Sequence, residues 1–336
     1  MRVLIGIVSA CLFCAAAPSD ASPVKKSHSK IPGPKNGVRL PGVQIPFARL
    51  KPDATVAAPA KPEWIFFSNS VFFAGADRIE RVDAKTTKLM EPVAGVKKPC
   101  GGMASAFGSV WAVSCGDGSL VKIDGKAGKV TATLQRGASG IPGSIAATDD
   151  SIWMLLDEET TLARVDPDQM MIVATMRLPE GCRSMVSAEK SLWIACPGEN
   201  KIYRINPDTN LVDKRIDTGA EPAALAFGEG SIWAFCRKEG KLDRIDPKTN
   251  KVTKTIDLGA PGARAQMAVG DGSVWVTMTG FPITRIDPKD ESVPQQFWGT
   301  GGGAIATSEG AIWLSNLNDG TLWRIDPNLI KATVAE

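Results

Sequence analysis

Hydrophobic and polar residues alternate with a period of two along much of the chain, in short runs bounded by Gly, Asp, Asn and Pro. In the unit from residue 223 to residue 256 this pattern predicts four short strands with no helix between them. The predicted strands are Ala223–Phe227, Ser231–Cys236, Lys241–Ile245 and Lys251–Ile256. Such a unit has two apolar faces and cannot bury both of them by itself.

The unit is repeated along the chain. An S-[VIL]-W-like motif places an aromatic residue at successive spacings of 39, 42, 40, 40, 42 and 38 residues. These residues are Phe72, Trp111, Trp153, Trp193, Trp233, Trp275 and Trp313. A second anchor, the Asp or Asn of an R-[IV]-D-P-like motif, has the same period. It falls at Asp83, Asp124, Asp166, Asn206, Asp246, Asp287 and Asp326. Two anchors in step predict seven structural repeats, and hence an all-β, seven-bladed β-propeller of four-stranded antiparallel blades.

The motif residues have structural explanations. A Trp on the second strand of each blade is expected to fill the space between blades, with its indole nitrogen bonded to a nearby acceptor. The sequence D-P-K-T-N is typical of a turn, in which the Asp side chain accepts a hydrogen bond from the backbone and Asn adopts a left-handed conformation. We predict that Trp64–Phe67 begins the first blade and that Ile330–Val334 is the last strand. Each terminal blade would then be complete by itself.

The amino end differs in character from the repeats. Residues 1–21 have one Arg followed by an apolar run and small residues, which predicts a cleaved signal peptide. Residues 22–61 are rich in Pro, Lys and Gly and predict a flexible basic linker, so the propeller is assigned to 62–336. Between 22 and 60 there are seven basic residues against Asp53 alone, whereas 61–336 holds 31 basic and 34 acidic residues.

The basicity is therefore a property of the linker, and we expect no nucleic-acid partner. No further run is long enough to predict a transmembrane segment. The chain is expected to be periplasmic or secreted, and monomeric; lipidation at Cys11, where Val8–Cys11 resembles a lipoprotein box after a very short apolar stretch, is the less favoured alternative.

Four of the cysteines have a regular placement. Cys100 and Cys182 each lie 11 residues before a motif Trp, whereas Cys115 and Cys196 lie four and three residues after it. Each pair brackets the hairpin of a first and a second strand, which in an oxidising compartment predicts the disulfides Cys100–Cys115 and Cys182–Cys196. In the repeat that follows Cys196, Pro222 stands where a partner for Cys236 would be, so Cys236 is predicted to be a free, buried thiol.

The text S-I-W…R-I-D-P-K-T-N-K-V…T-I-D-L-G resembles the repeats of YVTN-type propellers and of virginiamycin B lyase-like (streptogramin lyase) proteins over residues 62–336. The resemblance implies a propeller fold. For the lyases it also implies opening of an ester-linked cyclic depsipeptide by elimination, with Mg²⁺, a catalytic histidine and carboxylates at the mouth of the central channel.

The catalytic part of the resemblance does not carry over. The chain has one histidine, His28, which lies in the predicted linker, and no blade residue matches the lyase histidine. We therefore assign no catalytic residue and no metal ligand. The sequence also lacks GxSxG, P-loop and HExxH motifs. A carboxylate site for Mg²⁺ or Ca²⁺, as in lactonase-type propellers, stays open because hard cations accept oxygen ligands.

A ligand is expected at the channel mouth, where the loops between blades meet the loops between second and third strands. The candidate ligand-binding residues are Arg183, Glu221, Arg264, Arg237 and Gln266. The leading interpretation is an exported binding or scaffold module for a small molecule, a glycan or an envelope protein. The alternative is an enzyme, either a divergent Mg²⁺-dependent lyase or a lactone hydrolase.

Overall fold

The computed structural model describes residues 38, 42–58, 62–135, 145–156, 160–308 and 310–333. Within these ranges the chain forms 29 β-strands in seven sheets. It also forms 3-10 helices at Phe47–Arg49 and Pro197–Glu199 and the short α-helix α1 (Pro327–Ala332). The predicted signal peptide and the first part of the predicted linker lie outside the described residues.

The strands are numbered in chain order. The first fourteen are β1 (Gln44–Pro46), β2 (Ala54–Ala57), β3 (Trp64–Ser68), β4 (Ser70–Ala74), β5 (Ile79–Val82), β6 (Leu89–Val93), β7 (Pro99–Ala106), β8 (Ser109–Ser114), β9 (Ser119–Asp124), β10 (Lys129–Gln135), β11 (Ile145–Ala147), β12 (Ile152–Leu156), β13 (Thr161–Asp166) and β14 (Met171–Arg177). The others are β15 (Arg183–Ala188), β16 (Ser191–Cys196), β17 (Lys201–Asn206), β18 (Leu211–Asp217), β19 (Pro222–Gly228), β20 (Ser231–Cys236), β21 (Lys241–Asp246), β22 (Lys251–Asp257), β23 (Ala265–Gly270), β24 (Ser273–Met278), β25 (Phe281–Asp287), β26 (Ser292–Trp298), β27 (Ile305–Ser308), β28 (Ala311–Asn316) and β29 (Thr321–Ile325).

The sheets are the seven predicted blades. Blades 1 to 6 begin with β3, β7, β11, β15, β19 and β23, and each contains four consecutive antiparallel strands. Blade 7 contains β27, β28, β29 and β2. The first strand of every blade contacts the first strands of the two neighbouring blades, and β27 contacts β3. The ring is therefore closed, and the prediction of a seven-bladed β-propeller is confirmed.

The motif tryptophans form the core between the blades, as predicted. All six are fully buried, and each packs against the following blade. Trp153, for example, belongs to the same buried hydrophobic cluster as Leu192 and Ile194 of blade 4. Each indole N–H donates to the residue five positions earlier, as from Trp193 to the carbonyl of Ala188 at 3.1 Å. The indole N–H thus joins the second strand to the end of the first strand of the same blade, while the indole rings fill the space between blades.

The D-P turns also have the predicted geometry. In the turn after β13, the Asp166 carboxylate accepts from the backbone N–H groups of Asp168 and Gln169, both at 2.8 Å. Asn210 and Asn250 end their turns in the left-handed conformation, with φ of 55° and 57°. These contacts belong to the turn between third and fourth strands, on the face opposite the predicted mouth.

The predicted closure of the ring was wrong. The segment predicted as the last strand forms α1 up to Ala332, because Pro327 opens a helical turn and Asp326 caps it by accepting from the N–H of Asn328 at 2.8 Å. The fourth strand of blade 7 is instead β2, which pairs antiparallel with β29 from Ala54↔Arg324 to Ala57↔Thr321. One blade therefore contains both ends of the described propeller.

The expectation of a flexible linker is accordingly wrong for residues 44–57. β1 adds to the outer edge of blade 6 as a parallel fifth strand, and the Gln44 amide donates to buried Gln296 at 2.8 Å. Phe47 stacks on Trp323 of blade 7 with 5.0 Å between ring centroids. An unpaired strand edge exposes backbone donors and acceptors, and this segment covers two such edges.

Both predicted disulfides are present, and Cys236 is free and buried. Each bond closes a loop of about 15 residues at the end of a first hairpin, which the chain-entropy estimate values at about 3 kcal/mol. None of the helices in the described ranges has the length and apolar character that a bilayer crossing requires.

Candidate functional site: the channel mouth

Loops between blades and loops between second and third strands meet on one face of the ring, which we call the mouth face. Backbone hydrogen bonds join them: Arg237 N–H donates to the Glu221 carbonyl at 2.8 Å, and Thr279 N–H donates to the Arg264 carbonyl at 3.1 Å. A third bond joins Gly262 N–H to the Arg237 carbonyl at 2.7 Å. Glu221, Arg237 and Arg264 therefore stand on loops of the mouth face, and Arg183, the first residue of β15, lies at the same end of its blade.

Glu221 and Arg237 form an ion pair at this face. Both Nε and Nη2 of Arg237 donate to Oε2 of Glu221, at 3.0 and 2.7 Å. The side chains are 47% and 35% exposed for Arg237 and Glu221, respectively. An exposed pair of this kind adds little to stability. The pair matters because the Arg237 guanidinium binds a carboxylate at a position that solvent reaches.

The backbone at Glu221 is unusual. Its φ is 58°, a left-handed conformation that is uncommon for residues other than Gly, Asn and Asp. The Glu221 N–H donates to Oδ1 of Asn200, a residue of the loop after β16, at 2.9 Å. Ser184, one blade earlier, has a φ of 56°, and its hydroxyl accepts from Leu225 N–H at 2.8 Å. Left-handed residues at the mouth are thus held by contacts from the neighbouring blade.

Arg183 and Arg264 are exposed at the junctions that lead into blades 4 and 6. The Arg183 Nε donates to the Gly181 carbonyl at 3.1 Å, which holds its stem against its own loop. The structure places all four predicted residues on one face and brings Glu221 and Arg237 into direct contact.

Gln266 makes a contact that the sequence did not predict. Its Nε2 donates to the carbonyl of Glu63, immediately before blade 1, at 2.9 Å. Gln266 belongs to blade 6, so this bond connects blades 6 and 1 past the first strand of blade 7. The donor end of the amide is engaged within the protein, and Gln266 acts here as a strut beside the channel.

A buried carboxylate that sequence reasoning missed lies beneath the mouth. Asp243 is 1% exposed, and its oxygens accept from Gly219 N–H at 2.8 Å and from the Thr255 hydroxyl at 2.6 Å. The Cys236 thiol donates to it at 3.4 Å. Burial, followed by the charge of Asp243, raises the pKa of the Cys236 thiol far above its ordinary value. This side chain is therefore no nucleophile in the folded protein.

A signal for Asp243 was present in the sequence. It occupies the repeat position directly before the motif Arg, where blades 2 and 3 have the apolar residues Val121 and Ala163. A carboxylate at a position that repeats as buried requires donors from its surroundings. That reasoning would have identified Asp243, although not its partners.

The described residues do not fit the divalent-cation site that the lyase resemblance implies. Within the described ranges, no three His, Cys, Asp or Glu side chains converge as metal ligands would. The Glu221 carboxylate is paired with Arg237, and both oxygens of Asp243 accept hydrogen bonds. We derive no catalytic step through a metal.

The sequence profile of a family described as glutamine cyclotransferase matches residues 108–274, from blade 2 into blade 6. No curated protein sequence matches the chain significantly. Among solved structures, a streptogramin B lyase is similar with a TM-score of 0.68 and 19% identity, covering 80% of this chain and 94% of that one.

The chain has the fold of the streptogramin lyases. The crystal structure of selenomethionine-substituted virginiamycin B lyase from Staphylococcus aureus is also similar, with a TM-score of 0.68, 17% identity, and coverage of 81% of this chain and 97% of that one. The predicted resemblance is therefore confirmed at the level of the fold. Identity below one fifth carries no residue roles across, because one fold supports many functions.

Proposed function

We propose that the protein is an exported binding propeller whose mouth face takes a small ligand carrying a carboxylate group. The observation that carries the proposal is the Glu221–Arg237 pair. Arginine presents its N–H groups in a planar fork that matches a carboxylate, and here that fork holds a carboxylate at the rim of a channel. Glu221 occupies the place that a ligand carboxylate would take.

Two further arginines support an anionic ligand. Arg183 and Arg264 are exposed at the junctions that lead into blades 4 and 6, and Arg237 lies in blade 5 between those blades. The backbone of Arg183 pairs with Ala195, and the Arg264 carbonyl accepts from Thr279 N–H, so little backbone ordering would accompany binding. The two disulfides support the exported location, since such bonds persist in oxidising compartments.

The proposal is tested by removing the internal carboxylate. In Glu221→Gln the competitor for Arg237 is neutral, so we expect glutarate and short acidic peptides to bind several-fold more tightly than to the wild type, measured by calorimetry. The double variant Arg237→Ala plus Arg264→Ala should lose this binding. Glu229→Gln is a matched control, because Glu229 has a similar φ of 51° but lies in a turn on the opposite face.

Three arms distinguish the sources of the carboxylate: dicarboxylic acids, peptides with a free carboxyl terminus, and uronic-acid oligosaccharides. The proposal would be refuted if neither the wild type nor Glu221→Gln bound any of the three. So would binding that the double arginine variant leaves unchanged.

An enzyme is the second candidate, and one observation favours it. The glutamine cyclotransferase profile spans residues 108–274, which include Arg183, Glu221, Arg237 and Arg264, and the solved neighbours are lyases. The assay is turnover of a streptogramin B depsipeptide, a lactone panel and glutaminyl substrates, with Mg²⁺ or Ca²⁺ and then EDTA. Turnover that is lost in Glu221→Gln would favour the enzyme, whereas the binding proposal expects that variant to gain affinity.

A further inference from the structure

Three consecutive backbone N–H groups at the start of blade 5 are each captured by a side chain from a different part of the mouth. The donors and acceptors are Gly219 N–H to Asp243 Oδ2 at 2.8 Å, Ala220 N–H to Glu239 Oε2 at 3.1 Å, and Glu221 N–H to Asn200 Oδ1 at 2.9 Å. Successive peptide groups rarely find three separate side-chain acceptors, because most side-chain acceptors serve turns and caps close to them in the chain.

We infer that Asn200, Glu239 and Asp243 are positioning residues of the mouth site, which hold Glu221 in its left-handed conformation and so present its carboxylate to Arg237. The inference rests on the proposed function for its biological meaning, but it concerns the geometry of the pair itself. A left-handed conformation is unfavourable for a non-glycine residue and persists only where its surroundings fix it. Here the surroundings are these three acceptors.

Asp243 is the rigid member of the set. It is buried, and three donors converge on its two oxygens, from Gly219, Thr255 and Cys236. A buried carboxylate with every oxygen engaged has no freedom to move without losing a bond. It therefore fixes the peptide between Thr218 and Gly219 relative to the third strand of the blade.

Glu239 and Asn200 act from the loops. The Oε1 of Glu239 faces the ammonium of Lys241 at 3.5 Å, which leaves Oε2 for Ala220 N–H. Asn200 belongs to blade 4, so its bond to Glu221 crosses from one blade to the next. Its own carbonyl accepts from Thr218 N–H at 3.1 Å. The pair at the mouth is thus positioned by two blades together.

Gly219 is required by the same arrangement. A Cβ atom at this position would lie 2.5 Å from Glu239 Oε2 and 3.1 Å from Cys236 Sγ. No side chain fits while the two carboxylates remain in reach of the backbone. The glycine therefore permits the close approach on which the three hydrogen bonds depend.

The test compares two substitutions at Asn200 in the whole protein. Asn200→Gly removes the acceptor but accepts the left-handed φ of 56°, whereas Asn200→Asp retains an oxygen at the same place. In ¹⁵N NMR spectra, we expect Asn200→Gly to speed hydrogen exchange of the Glu221 amide by about tenfold, the size of one lost hydrogen bond. Exchange at Arg237 Nε should rise with it, and Asn200→Asp should restore both.

A merely structural role would lower the unfolding midpoint without a selective change at Arg237 Nε, so the midpoint is measured in parallel. The pair Glu239→Ala and Glu239→Gln repeats the comparison at Ala220 and keeps the test open if Asn200→Gly fails to fold. Unchanged exchange at Glu221 and Arg237 in both Asn200→Gly and Glu239→Ala would overturn the inference. These signals need no ligand, so a failure of all three ligand classes to bind both the wild type and Glu221→Gln would refute the proposed function alone.

Discussion

The guanidinium of Arg204 lies over the indole ring of Trp193, with 5.3 Å from Cζ to the ring centroid. Its Nε donates to the Ser191 hydroxyl at 3.0 Å, and its Nη1 donates to the carbonyl of Pro247 and to Oδ1 of Asn250, at 3.2 and 3.0 Å. Pro247 and Asn250 belong to the D-P turn of the next blade. The Arg of the repeat motif therefore donates hydrogen bonds to the next blade and also packs over the tryptophan ring.

Arg204→Ala should lower the free energy of unfolding by about 2 to 3 kcal/mol, because it removes charge-assisted hydrogen bonds and a cation–π contact. Arg204→Lys should cost about half as much. The repeat contains that substitution naturally: Lys122 lies 5.2 Å from the Trp111 centroid and donates to the Pro167 carbonyl at 3.1 Å. Urea denaturation measures both.

Lys248→Ala is the control for this comparison, since Lys248 is exposed in the very turn that Arg204 contacts. Equal losses for Arg204→Ala and Lys248→Ala would contradict the assignment of Arg204 as an inter-blade bond.

Acid should weaken the protein through the D-P turns. Hydrogen bonds from backbone N–H groups hold the pKa of Asp124 and Asp166, and likewise that of Asp246, below the ordinary value. A carboxyl whose pKa is lower when folded contributes stability above its unfolded pKa, about 3.9, and loses it as the pH falls through the folded value. The wild type should therefore lose stability below about pH 4.

The triple variant Asp124→Asn, Asp166→Asn, Asp246→Asn should lose less stability than the wild type between pH 4 and pH 2, measured by urea midpoints. An asparagine keeps the turn, as Asn206 shows by accepting from Asp208 N–H at 2.8 Å. Parallel pH profiles for the two proteins would be inconsistent with this account.

Cys236 should resist alkylation in the folded protein. The thiol is fully buried, and burial together with Asp243 raises its pKa, so almost no thiolate is present at pH 8. Iodoacetamide labelling followed by peptide mass spectrometry should find Cys236 unmodified without urea and modified with it. Lys238→Cys places a thiol two residues away in an exposed loop and should label in both states. Rapid labelling of native Cys236 would show the site to be open.

Strand β2 should be sensitive to a charge at one position and tolerant of it at the next. Val56 is buried between blades 7 and 1, whereas Ala57 is exposed. Val56→Asp should destabilise the protein by several kcal/mol, because it buries an unpaired charge. Ala57→Asp should change stability by less than about 1 kcal/mol. Thermal unfolding compares them, and similar melting temperatures would argue against the pairing of β2 with β29.

The fold could be predicted where the signal is local and repeated. Two anchors in step determine the number of blades, and the position of each cysteine pair around a hairpin determines the disulfides. The closing strand could not be predicted in this way. Residues 54–57 are short and stand among prolines, and their pairing with β29 depends on an unpaired edge at the other end of the chain. No local pattern in the sequence indicates an unpaired strand edge elsewhere in the chain.

The mouth was predictable in outline. Strand order places Arg183, Glu221, Arg237 and Arg264 on one face, and this follows from the repeat alone. The contacts were not predictable, because the acceptors for residues 219–221 come from two loops and one strand and bind backbone groups. Every residue except proline carries a backbone N–H group. A side chain that accepts from such a group therefore has no complementary residue type that the sequence could reveal.

The seventh blade joins β2, near the amino end of the described chain, to β29, the last strand of the propeller. A chain that leaves the ribosome amino end first must carry β2 unpaired until β29 has been made, since the two are separated by nearly the whole ring. Such distant pairing slows folding. The protein should therefore acquire resistance to proteases in one late step, when the circle is complete, and not gradually as successive blades appear.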